Sequence, residues 1–137
     1  MVWIDKGVNL MDELARYDDS PNTLRVASLL ALTRAGILSD LGRVPEAMAA
    51  AEKPVAMKRK LLQLHPGDSD LSIGLASSLR VYSEDLDGWQ RPAEACAAAR
   101  EARGILDSMA AHGGIPARIQ KADAEPLDAR LKACPKS

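Results

Sequence analysis

The residues that most often catalyse reactions or bind metal ions are few in this sequence and far apart. They are two histidines and two cysteines: His65, His112, Cys96 and Cys134. Each histidine stands where a helix is expected to end, and an imidazolium there can bind the last free carbonyl groups of that helix. Neither has a cysteine, serine or carboxylate at the spacing of a catalytic or metal-binding group. We therefore expect a protein that is not an enzyme and that needs no cofactor or metal.

The cysteines also bear on the cellular compartment of the protein. Disulfides are rare in the cytoplasm, so we expect Cys96 and Cys134 to be reduced thiols there. A bond between them stays open as an alternative if the last helix folds back. The first ten residues contain Asp5 and Lys6 and do not resemble a signal peptide. No apolar run reaches the ~18 residues of a membrane span. We expect a cytoplasmic protein without a membrane partner.

Two groups of acidic side chains could bind a cation. They are Asp12, Glu13, Asp18 and Asp19, and then Glu84, Asp85 and Asp87. Neither group has the glycine and the terminal glutamate of a calcium-binding loop. Solvated helix ends are the expected explanation for both groups.

Composition favours a helical protein. Of 137 residues, 47% are hydrophobic and 27% charged, which is ordinary for one soluble domain, here residues 1–137. Alanine and leucine supply most of the apolar residues, whereas aromatic residues are 3% and phenylalanine is absent. Helices are therefore favoured over sheets. A formal net charge of −1 gives no overall attraction to nucleic acid, and the basic run at residues 58–60 is expected to be a solvated flank.

Prolines, glycines and the spacing of apolar residues predict where helices begin and end. Pro45 and Pro92 suit first helical turns, and Gly42 suits the left-handed position that follows a helix. In the second helix, apolar residues three and four apart form one buried face. The predicted helices lie near residues 2–17, 22–41, 44–64, 70–86, 91–112 and 125–134.

The sequence also repeats itself at an interval of 47 or 48 residues. Residues 46–51 match residues 94–99 at an interval of 48, whereas Leu24, Val26 and Leu32 match Leu71, Ile73 and Leu79 at 47. Chance similarity between alanine-rich helices is the alternative. A repeat of two helices predicts stacked antiparallel hairpins. We assign a half-repeat (2–17), two repeats (22–64 and 70–112) and a capping helix (125–134).

The turn Leu41-Gly42-Arg43-Val44-Pro45-Glu46-Ala47, with Leu38 before it and Ala51 after it, resembles the turn of a tetratricopeptide repeat (TPR). The long helices look like the extended TPR repeats of bacterial multi-domain signalling proteins. The resemblance implies an all-α solenoid that binds a peptide or protein in a groove lined by the first helix of each hairpin. The groove-facing residues that it implies are Leu29, Leu32, Thr33, Gly36 and Asp40 in the first hairpin and Ala76, Leu79, Arg80, Ser83 and Asp87 in the second.

The expected function is therefore that of a protein–protein interaction module, or scaffold. Thr33 and Arg80 replace the asparagines of chaperone-binding members, so a chaperone tail is not the expected ligand. One alternative is a structural piece that forms homodimers or continues a longer solenoid. Another is a helical-bundle enzyme or small-molecule-binding regulator, which would need a closed pocket with convergent polar groups.

The two tryptophans are expected to differ in role. Trp89 lies in the longer turn, where it either covers the end of its hairpin or contacts a partner. Trp3 is expected to pack on the second helix. If Trp3 is instead exposed, it marks a surface that an upstream repeat would cover.

Overall fold

A computed structural model shows that the chain is all-helical, as predicted. The structure describes residues 2–17 and 20–135, and no β-strand occurs among them. The five long helices are α1 (Val2–Tyr17), α2 (Pro21–Asp40), α3 (Val44–Leu64), α4 (Ser69–Gly88) and α5 (Pro92–Ala111). Each predicted long helix is therefore present, with ends within two residues of those expected. Asp18, Asp19 and the side chain of Asp12, considered above in an acidic group, lie outside the described part of the chain.

A shorter helical segment follows α5. It consists of α6 (Ala117–Ile119), a π-helical turn (Gln120–Ala124) and α7 (Glu125–Lys132). The predicted last helix corresponds to α7, whereas no helix was predicted for α6 and the π-helical turn. We call residues 117–132 the C-terminal segment.

The residues group into two compact units, Met1–Met57 and Lys58–Ser137. The boundary falls within α3, so this helix contributes residues to both units. A single domain of 1–137 stays a prediction.

In the first unit, α1 packs against α2. Apolar residues three or four apart are buried on each helix: Ile4 and Val8 of α1, Ala27, Ala31, Ala35 and Leu38 of α2, and Ala47, Ala50, Ala51 and Val55 of α3. The Arg34 guanidinium lies 2.6 Å from the Asp5 carboxylate and joins α2 to α1. Most of these buried side chains are small, which permits helices to approach closely.

Helix α2 is capped at both ends by its own sequence. The Ser20 side chain accepts a hydrogen bond from the Thr23 backbone N–H at the first turn. At the other end Gly42 has a φ of 75°, and the Arg43 N–H donates to the Leu38 carbonyl at 2.9 Å. This confirms the left-handed position predicted for Gly42, which a residue with a Cβ adopts only at a cost.

In the second unit, α4 packs along α5. The buried residues of this hairpin are Leu75, Ala76, Leu79, Ser83 and Leu86 of α4, and Ala95, Cys96, Ala98, Ala99, Ala102 and Leu106 of α5. The hydroxyl of Ser83 donates to the Ala95 carbonyl at 2.6 Å, so this buried polar group is satisfied across the helix pair.

The turn after α4 has the same hydrogen bonds as the turn after α2. Gln90 has a φ of 63°, and the Arg91 N–H donates to the Leu86 carbonyl at 2.9 Å. Gln90 stands 48 residues after Gly42, and Asp68 caps α4 48 residues after Ser20 caps α2. These caps give one interval of 48 for the first helices, and the interval of 47 that the leucine pattern indicated was wrong by one residue.

The C-terminal segment folds back onto α4 and α5. Its π-helical turn contacts α4, α7 contacts α5, and Ile119, Ala124 and Leu127 are buried. A disulfide joins Cys96 on α5 to Cys134 just after α7. The expectation of two reduced thiols was therefore wrong for this structure, because the last helix does fold back as the alternative required.

No helix in the described residues combines the length and the apolar character that crossing a membrane requires.

Candidate partner-binding surface

One side of α2 presents all five residues that the TPR resemblance assigned to the first hairpin. Leu29, Leu32, Thr33, Gly36 and Asp40 are exposed, and they follow one another at intervals of one, three or four residues. The exposed fractions of Leu29 and Leu32 are 56% and 40%. Large apolar side chains exposed next to each other commonly mark an interaction site. We call these five residues the α2 face.

The rest of α2 fixes the orientation of this face. Its opposite side is anchored by the buried residues Ala31, Ala35 and Leu38. The Thr33 hydroxyl donates to the Leu29 carbonyl at 2.9 Å, so this hydroxyl is turned toward its own helix. A Cβ at Gly36 would have no neighbour within 4 Å, so the surface beside it is open.

Helix α1 adds a second exposed apolar surface to the first unit. The exposed fractions of Trp3, Leu10 and Leu14 are 69%, 64% and 44%. The expectation that Trp3 packs on α2 was wrong, because the buried positions of α1 are Ile4 and Val8, and Trp3 lies beside that face rather than on it. We call Trp3, Leu10 and Leu14 the α1 stripe.

The second hairpin does not present the groove residues predicted for it. Ala76, Leu79 and Ser83 were expected to face a partner, but all three are buried. The reason is the interval of 47 that was used to transfer them. At an interval of 48 they match Ser28, Ala31 and Ala35, which are core positions of α2.

The other two predicted residues of α4 are occupied by the C-terminal segment. The Arg80 guanidinium lies 2.7 Å from both the Asp123 and the Glu84 carboxylates, and the Ser77 hydroxyl donates to Asp123 at 2.8 Å. Asp87 lies 3.3 Å from Arg130 of α7. Partial burial lowers the pKa of Arg80, but the hydrogen bonds to the two carboxylates outweigh it and the pKa lies above its ordinary value.

Two further titratable groups that were expected to be solvated are partly buried. Lys58, expected to be solvated, is half-buried and donates to the Ser78 hydroxyl at 2.6 Å, and burial lowers its pKa. Asp85 is also half-buried, and burial together with the neighbouring Glu84 raises its pKa. Val55, Leu61 and Leu62, which lie three or four residues from Lys58, are the sequence signal that Lys58 lies near an apolar face.

A cleft of about 710 Å³ lies in the second unit, with Leu62, Pro66, Ser72 and His112 among its lining residues. The His112 ring lies 2.7 Å from the Ser108 carbonyl, which confirms its predicted role at the helix end. The Glu101 carboxylate in the wall is paired with Arg59 at 2.5 Å. These polar groups bind their own protein, and within the described residues no cluster of three or more His, Cys, Asp or Glu side chains is placed to hold a metal ion.

Comparison with known proteins gave no relationship: no family model, no curated protein and no solved structure matches the chain significantly.

Proposed function

We propose that this chain is a protein–protein interaction module of TPR-like hairpins, with a binding rather than a catalytic role. The α2 face is its binding surface for a peptide or protein. The observation that carries the proposal is the exposure of Leu29 and Leu32 on the same side of one helix, beside the open backbone at Gly36.

The recurrence of local structure supports hairpins of the TPR kind. The N-caps Ser20 and Asp68 and the left-handed residues Gly42 and Gln90 recur at an interval of 48. An ion pair also recurs, because Arg43 binds Glu46 and Arg91 binds Glu94. A repeated helix–turn–helix unit is the building block of solenoids, whose first helices line the binding groove.

The two faces differ in what they can bind. On α4, the position that matches Leu32 is Arg80, and its charge is bound by Asp123 of the same chain. On α2 the corresponding position is apolar and exposed. The partner therefore needs apolar side chains, and burying one exposed leucine contributes about 1–2 kcal/mol. Asp40 at the end of the face favours a basic or hydrogen-bond-donating group at that end of the ligand.

The test is a double substitution of the α2 face, Leu29→Asp with Leu32→Asp. We expect the variant to lose at least ten-fold in partner binding, because two charges would have to be desolvated in the interface. Both side chains are exposed, so helicity measured by circular dichroism should be unchanged. The readout is quantitative mass spectrometry of proteins that the tagged chain captures.

The matched control is Leu41→Asp, since the exposed fraction of Leu41 is 59% and it lies in the turn after α2. Proteins that the unmodified chain and the Leu41 variant capture, and the double variant does not, are the partners of the α2 face. Equal capture by all three chains would contradict the proposal.

A further inference from the structure

We propose that two copies of this chain associate through α1, with the two α1 helices antiparallel and the α1 stripes facing each other. The interface consists of Trp3, Leu10 and Leu14, with Lys6 and Glu13 at its edge. This inference is independent of the α2 face and uses a different surface of the first unit.

The α1 stripe has the spacing of a helix–helix interface. Trp3, Leu10 and Leu14 lie seven and four residues apart, so their side chains project from one side of the helix. All three are exposed although α1 already buries Ile4 and Val8 against the first unit. Helix α1 thus has two apolar sides, and only one of them is covered.

The position that corresponds to Trp3 is buried in the other helices of this kind, α3 and α5. Ala50 of α3 stands directly before the buried Ala51, in the same way that Trp3 stands directly before the buried Ile4. Unlike Trp3, Ala50 is itself buried. On α5 the corresponding residue, 48 positions after Ala50, is Ala98, which is also buried. This side of the helix is therefore covered in α3 and α5, whereas in α1 it is exposed.

The charges beside the stripe identify the occupant as a second α1. Lys6 and Glu13 are exposed, carry opposite charges and lie seven residues apart, so they share one edge of the stripe. In an antiparallel pair with two-fold symmetry, the same edge of each helix meets itself. Lys6 of one copy then lies beside Glu13 of the other, and the pair forms twice. In a parallel pair this edge would instead meet the opposite edge of the second helix, so Lys6 and Glu13 would not pair with each other.

The apolar side chains also suit this arrangement. Antiparallel pairing that places Trp3 beside Leu14 of the second copy also places Leu10 level with Gly7 of that copy. The Leu30 side chain of α2 lies next to Gly7, so Leu10 meets an apolar side chain there. The interface is one helix of 16 residues, or about 24 Å, on each side. That is small for a permanent dimer, so we expect concentration-dependent association in the micromolar range.

The experiment is a charge exchange measured by sedimentation of the full chain over a range of concentrations. Lys6→Glu places Glu against Glu, and Glu13→Lys places Lys against Lys, so each variant alone should dimerise at least five-fold more weakly than the unmodified chain. An equimolar mixture of the two variants should recover dimers, because every contact at the edge is then between opposite charges. The double variant on one chain should also recover them.

Controls separate the α1 interface from other surfaces. Lys60→Glu makes the same charge change at an exposed position of α3 and should leave dimerisation unchanged. Leu10→Asp should abolish dimers while circular dichroism shows intact helices. A monomer at every concentration would overturn the proposal, and so would dimers that persist with Leu10→Asp or that disappear with the Leu29 and Leu32 double variant instead.

Discussion

At the scale of single residues, Asp85 is a side chain whose negative charge is unfavourable in the folded protein. Burial and the nearby Glu84 raise the pKa of its carboxyl group, so the folded state binds a proton more tightly than the unfolded chain does. The stability that this group contributes is therefore present at low pH and is lost as the pH rises through the raised pKa. The charged form at neutral pH is the unfavourable one.

Asp85→Asn should accordingly stabilise the protein at neutral pH. We expect a rise in the free energy of unfolding of less than about 1 kcal/mol, because the side chain is partly exposed to solvent, which screens the charge. Urea unfolding at pH 7 and at pH 4 provides the measurement. The gain should shrink at the lower pH, because the raised pKa leaves a larger share of the Asp85 carboxyl groups uncharged there. An equal gain at both pH values would show that the charge is not its cause.

The sequence was least informative about which side chains contact each other over long distances along the chain. Arg80 was predicted to face a partner, yet its guanidinium binds Asp123, 43 residues away. Asp123 lies in a π-helical turn, in a stretch for which no helix was predicted. Contacts over such distances depend on how the segment folds back, which propensity and spacing do not encode. The exposed α2 residues were predictable because their orientation depends only on the buried side of the same helix.

At the scale of helices and turns, the two turns of the hairpins should respond oppositely to substitution. Gly42→Ala should lower the free energy of unfolding by about 1 kcal/mol, since alanine is strained at a φ of 75°. Gln90→Gly should raise it by about 0.5 kcal/mol, because glycine relieves the same strain but loses more chain entropy. Both values come from urea unfolding.

Gly104→Ala is the control for these two variants. Gly104 lies inside α5 with open space around it, so alanine should stabilise the helix by roughly 0.5–1 kcal/mol. If Gly42→Ala stabilised the protein as Gly104→Ala should, the left-handed turn after α2 would be absent in solution.

The helices themselves could be predicted from the sequence, whereas their alignment could not. Gly42 and the prolines near Val44 and Arg91 fix helix ends through local backbone geometry, so the predicted ends were accurate. Apolar residues recur every three or four positions, and a shift of one residue preserves many of the matches between two such helices. Only the caps, Ser20 with Asp68 and Gly42 with Gln90, distinguish an interval of 48 from 47.

At the scale of the whole molecule, the two units differ in whether the C-terminal segment covers their helices. In the second unit the C-terminal segment binds α4 through Asp123 and is joined to α5 by the disulfide between Cys96 and Cys134. In the first unit the α2 face and the α1 stripe are exposed. The proposed binding role therefore belongs to the first unit, because in the second unit the C-terminal segment binds Arg80, the residue that matches Leu32. A cytoplasmic location stays a prediction, and the disulfide favours an oxidising compartment instead.

Carbene footprinting of the chain alone and with a partner captured through the α2 face tests the proposed binding surface most directly. We expect reduced labelling at Leu29, Leu32 and Thr33, with labelling of Leu41 and of residues 69–88 unchanged. Reduced labelling confined to the second unit, or none at the α2 face, would contradict it.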